Sequence, residues 1–175
     1  QLFLSQGGSQ PGAVVTATME GSRPLLVEIQ ALVAASGFVT PRRMADGLDY
    51  NRMSLLLAVL EKRGGLHLQG QDVYINVVGG VQIAEPAVDL AVVLAAASAF
   101  REKKLLPDLL AVGEVGLTGE IRSVSRLDQR LREAAKLGFR TAIVPRTSGL
   151  TLPETLEIHP VAGVAQALQV AFGGG

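Results

Sequence analysis

Two β-branched runs, AVVTATME (13–20) and PLLVEIQALVA (24–34), are separated only by Gly21-Ser22-Arg23-Pro24. Their spacing predicts a hairpin, which places an antiparallel pair at the front of the fold. A polar stretch, TPRRMADGLDYNR (40–52), then leads into a helix that ends at Arg63 before Gly64-Gly65. Leu55, Leu56, Leu57, Val59 and Leu60 surround that helix, so it must be buried on most sides. DVYINVV (72–78) alternates like a strand. Pro86, in the favoured first helical position, opens a second helix to about Phe100. LLAVGEV (109–115), a turn at Leu117-Thr118-Gly119 and EIRSV (120–124) read as a further strand pair. A third helix, Ser125 to Leu137, stops at Gly138. TAIVP (141–145) and LEIHP (156–160) are strands, and VAGVAQALQVAF (161–172) is a final helix. A hairpin followed by alternating strands and helices implies a mixed α/β (α+β) domain with a partly parallel sheet.

The chain's 175 residues suit one domain. SQGGSQPG (5–12) has linker composition, so residues 1–12 are expected to be a linker, 13–172 the domain and 173–175 a tail. The start at Gln1 and the terminal glycines read as a piece cut from a longer protein. With aromatics at 4% and no Trp, the core must be aliphatic.

Sixteen basic residues offset sixteen acidic ones, so a nucleic-acid site would have to come from local clustering. The absence of cysteine excludes disulfides and thiolate metal sites and agrees with a reducing compartment. The longest apolar stretch, Pro86 to Phe100, is about fifteen residues and contains Asp89, short of the roughly 20 that a membrane span needs. No signal peptide is visible, and the expected location is the cytoplasm. The two histidines, His67 and His159, stand apart, and no H-E-x-x-H or D-x-D-x-D-G pattern occurs. No metal is expected in this chain.

Basic residues cluster in several places. Arg126, Arg130, Arg132 and Lys136 are read as the outward face of the third helix, with Leu127, Leu131, Ala134 and Ala135 as its apolar face. Arg122 lies just upstream, Arg42, Arg43 and Arg52 bracket the polar stretch, and Lys103-Lys104 follow the second helix. Planar guanidiniums suit phosphates, or carboxylates across a subunit boundary. Ser125-x-x-Asp128 fits a helix capping box, and Asp89 reads as a dipole-compatible surface or packing residue.

Four segments, MEGSRPLLVEIQALV (19–33), GLDYNRMSLLLAVLEKR (47–63), DVYINVVGGVQIAEPAVDLAV (72–92) and GEVGLTGEIRSVSRLDQRLREAAKLGFRTAIVPR (113–146), closely resemble the RadA/Sms family. The resemblance implies a fold like the Lon proteolytic domain. It also implies a place after a zinc finger and a RecA-like ATPase core, so ATP, Mg and Zn belong to those absent parts and none to this chain. Lon peptidases use a Ser-Lys pair, and matching their motifs puts Ala87 at the serine and Asp128 at the lysine. Alanine has no nucleophilic atom, and aspartate cannot serve as an amine base.

The family resemblance further implies double-stranded DNA, a homo-oligomeric ring (a hexamer) and a RecA-type recombinase as partners. Arg42, Arg43, Arg52, Lys103, Lys104, Arg122, Arg126 and Arg130 are the candidate DNA contacts. The alternatives are a pure oligomerisation module without DNA contact and a Lon-type Ser-Lys peptidase.

Overall fold

A computed structural model describes residues 2–3 and 10–174. The expected hairpin is present: β2 (Ala13–Glu20) pairs antiparallel with β3 (Arg23–Ala35), Val14 opposite Ile29 and Thr18 opposite Leu25. The linker expected over 1–12 contributes β1 (Leu2–Phe3), which pairs parallel with β3 at Leu26–Val27; residues 1 and 4–9 of that expectation lie outside the described residues.

The polar stretch is more structured than its composition suggests. It holds β4 (Arg43–Asp46), parallel to β5 (Gln71–Val77), before α1 (Tyr50–Gly64). Asp49 caps α1 by accepting from the Arg52 N–H at 2.9 Å, and Gly65 ends it at φ 74°. Pro86–Val88 form a 3-10 turn that runs directly into α2 (Asp89–Arg101).

The expected strand pair at 109–124 divides. β6 (Leu109–Ala111) joins the main sheet, while β7 (Glu114–Val115) and β8 (Ile121–Arg122) form a separate two-stranded ribbon. α3 (Leu127–Lys136), β9 (Thr141–Pro145), β10 (Glu157–Val161) and α4 (Val164–Ala171) follow. Gly173 and Gly174 donate to the Val170 and Gln169 carbonyls, so the expected tail begins by closing α4.

The main sheet runs β10-β9-β6-β2-β3-β5-β4, with β1 beside β3. Its pairings are antiparallel at β2–β3 and β3–β5 and parallel elsewhere. The fold is therefore a mixed α/β domain with a mostly parallel sheet.

Side chains alternate across the strands and build two cores. Val27, Ile29, Val73 and Ile75 pack with α1, α2 and α4 in the larger one. Leu26, Ala17, Leu110 and Ala142 pack with Leu127 and Leu131 of α3 in the smaller one. α2 is sheathed almost completely, with every residue from Asp89 to Ala99 buried. Among the described residues no helix is long and apolar enough to cross a membrane.

Candidate functional site

The chain between Glu85 and Asp89 brings two buried or partly buried carboxylates to either side of Ala87. Ala87, which the family resemblance sets at the Lon serine, is buried in the smaller core with Leu127 and Leu131. Two carboxylates flank it, and each is clamped by an arginine from a different helix.

On the α3 side, Glu85 meets Arg130 in a two-pronged pair, Nη1 to Oε1 at 2.6 Å and Nη2 to Oε2 at 2.7 Å. Arg130 is 0% exposed. Its remaining donors reach the Ala17 carbonyl at 2.7 Å, the Ser125 carbonyl at 2.9 Å and, more distantly, the Ser125 hydroxyl at 3.4 Å. All five guanidinium N–H groups are thereby engaged. Glu85 also accepts from the Thr18 hydroxyl and the Met19 N–H. Burial alone would raise the Glu85 carboxyl, but Arg130, Met19 and Thr18 outweigh it and hold it below the usual range.

On the α1 side, Asp89 is buried and paired with Arg52, which donates from Nε at 3.0 Å and from Nη2 in a shorter contact. The Val115 N–H donates to the same carboxylate at 3.1 Å, and Arg52 returns a bond to the Val115 carbonyl at 3.2 Å. Burial pushes the Asp89 carboxyl up despite these donors. Asp89 is therefore not a surface residue at a helix end. It is the buried peg that joins α1, α2 and β7.

These contacts correct several expectations. α3 begins at Leu127 with Arg126 as its cap residue at φ 55°, and no side chain caps it, so the Ser125-Asp128 capping box does not form. Asp128 instead pairs with Arg132 one turn on, at 3.2 Å. Asp128→Ala is accordingly expected to cost only about 0.3–0.5 kcal/mol, the worth of an exposed helical pair, as read from the denaturation midpoint.

Arg130 does not lie on the outward face. It follows Leu127 by three residues, about 60° short of a full turn, and so borders the apolar arc. A phosphate cannot reach it without breaking the Glu85 pair. Arg52 is committed to Asp89, and Arg122 to Glu120 at 2.9 Å and Glu114 at 3.9 Å. The Thr118 hydroxyl and Arg122 hold the Glu120 carboxyl down to about 2.

Arg43 is half-buried and donates to the Leu68 carbonyl, while Arg42 is exposed and stacks over the Phe38 ring at 4.2 Å. Arg126, Lys103 and Lys104 are exposed and have no ion-pair partner among the described residues. Lys103 and Lys104 follow the C-terminal end of α2, whereas Arg126 stands at the start of α3.

Glu85 went unnoticed in the sequence because its partner is 45 positions away. Of the serines, Ser98 is buried, accepting from the Gly12 N–H at 2.9 Å and donating to the Lys103 carbonyl at 2.5 Å, a structural link rather than a nucleophile. His67 is exposed, and His159 lies on β10, 3.5 Å from Glu157. Among the described residues no group of three or more His, Asp or Glu could hold a metal ion.

Because Glu85 is held below its free pKa of 4.5, its contribution to stability is complete above that value and lost as pH falls through the lowered folded value. The unfolding midpoint of the unaltered chain should therefore drop more steeply below about pH 4.5 than that of Glu85→Gln. Parallel curves would mean that the pair is not ionised in the folded state.

Residues 54–148 match the family model described as subunit ChlI of Mg-chelatase. Over 99% of its length the chain is 53% identical to a DNA repair protein RadA of Bacillus subtilis, and likewise 52% identical to one of Halalkalibacterium halodurans. A Streptococcus pneumoniae protein of the same name is 48% identical over 98% of the chain. The chain spans 39%, 38% and 42% of the lengths of these three relatives.

Proposed function

This chain belongs to the RadA family of DNA repair proteins, and over residues 54–148 to the family described by the ChlI subunit, and on that premise we propose that it is a non-proteolytic, Lon-like domain. Its role in this reading is to grip double-stranded DNA without sequence preference and to help assemble a ring. The longer parent would act as a DNA-dependent ATPase on recombination intermediates beside a RecA-type recombinase. ATP, Mg and Zn would be held by parts of that parent outside this chain, in the cytoplasm.

The observation that carries the non-proteolytic half is the sealed surround of Ala87. A nucleophile is missing there, both neighbouring carboxylates are occupied by arginines, and the position faces aliphatic core rather than a cleft. Neither of the two carboxylates beside Ala87 is therefore free to act as a general base. Unfolded casein and fluorogenic peptides should stay intact; cleavage that copurifies with the domain and survives rigorous purification would overturn this part.

The DNA half is supported by Arg126, Lys136, Lys103 and Lys104, which are exposed and have no ion-pair partner among the described residues. Non-specific duplex binding is expected at about 10⁻⁴–10⁻⁶ M at physiological salt, weakening steeply as salt rises. Arg126→Ala with Lys136→Ala should reduce the salt slope by roughly 1 per residue. Arg130→Met with Glu85→Leu should change DNA affinity far less than removing the exposed Arg126 and Lys136, because that guanidinium is already spent on Glu85. If no pair of exposed cations alters DNA binding in the longer protein either, the pure oligomerisation reading is the better one.

A further inference from the structure

The loop between β3 and β4 ends in an apolar tip. Val39 is 105% exposed and Phe38 53% exposed, with the Arg42 guanidinium lying over the Phe38 ring. The base of this loop is pinned, since the Ser36 N–H donates to the Gly70 carbonyl at 2.8 Å and the Arg42 N–H to Asp72 at 2.7 Å. The held base thus presents two exposed hydrophobes beside a cation, a tip that an apolar pocket with an acidic rim could receive.

At the other end of β4 lies a cleft of about 220 Å³ between the starts of α1 and α2. Its floor is apolar, with Met53, Leu56, Ile83 and Val92. On its polar rim Glu85 is held by Arg130 and Asp89 by Arg52, which leaves the exposed Asp49 as the rim carboxylate without a cation among the described residues. The tip and the cleft therefore match in both polarity and charge. They cannot meet within one molecule, because the four residues of β4, about 13 Å, separate them and they face opposite ends of the sheet edge.

We infer that the Phe38-Val39 tip of one copy docks into the α1–α2 cleft of a second copy of this chain, with Arg42 against Asp49. Such a contact is head-to-tail, using different surfaces on each side. Repetition of a head-to-tail contact closes into a ring when the rotation allows it. The inference rests on the assembly reading above and specifies which surfaces carry it.

The chain has no cysteine, so single thiols can be placed cleanly. Val39→Cys and Ala84→Cys, the latter exposed on the cleft, would be mixed in equal amounts and treated with a short thiol crosslinker, with Ala165→Cys on α4 as a distant control. The expected product is a 39–84 dimer from the mixture, none from 39–165, and a ladder from the double variant Val39→Cys/Ala84→Cys. Val39→Asp, at a side chain without packing partners, should weaken association about tenfold or more in sedimentation velocity while leaving the unfolding midpoint unchanged.

A dominant 39–39 dimer would overturn the head-to-tail geometry. Assembly seen by sedimentation without any 39–84 product would overturn this contact and leave the assembly reading standing. A chain that stays monomeric at every concentration, and forms no 39–84 product, would sink both.

Discussion

Arg130→Ala is expected to destabilise the domain by about 3–5 kcal/mol, the range for removing one partner of a buried ion pair. The loss goes beyond one contact. Glu85 would be left ionised and half-buried without its main counter-charge, and the Ala17 and Ser125 carbonyls would lose their donors. β2, the 3-10 turn and α3 meet at this guanidinium, beside the Thr18 and Met19 bonds to Glu85 and the apolar packing around them.

The double change Arg130→Met with Glu85→Leu should recover most of that loss, since a buried pair replaced by packed hydrophobes is often close to neutral. Urea unfolding of the three proteins is the direct measurement. A single-variant loss below about 1 kcal/mol would show that water already reaches the pair, contrary to the closed geometry.

Gly12→Ala should cost about 3–4 kcal/mol, from two sources that act together. Gly12 sits at φ +88°, where a side chain is strained, and an added Cβ would lie 2.4 Å from the Ala31 carbonyl oxygen and 3.3 Å from the Ala99 Cβ. Neither neighbour can move aside freely, because the Ala31 N–H donates to the Gly12 carbonyl at 2.8 Å and Ser98 holds the Gly12 N–H. Gly21→Ala is the matched control: it also has positive φ, at +63°, but nothing lies within 4 Å of its added Cβ. It should cost about 1 kcal/mol, from backbone strain alone. Equal costs at the two sites would mean that the Ala31 carbonyl leaves room for a methyl group at position 12.

The sequence by itself determined those features that depend on near neighbours. The hairpin at 13–34, the strands at 72–78 and 141–145 and the buried helix beginning at Pro86 all follow from local alternation, turn chemistry and residue identity. Family membership was legible for the same reason, since long stretches of residues carry it.

The tertiary structure alone decided what each charge does. Arg130 and Arg126 look alike in the chain, yet one is sealed against Glu85 and the other stands in solvent. Asp128 sits where a cap belongs but pairs along the helix, because Arg126 in a left-handed conformation starts α3 two residues later than Ser125. β4 forms within a polar stretch because β5 offers it a parallel edge, a partner no local pattern announces. In each case the deciding partner lies on another element or depends on the backbone's path. A charge takes its role from the dielectric and the counter-charge around it, and both are set only once distant segments have packed.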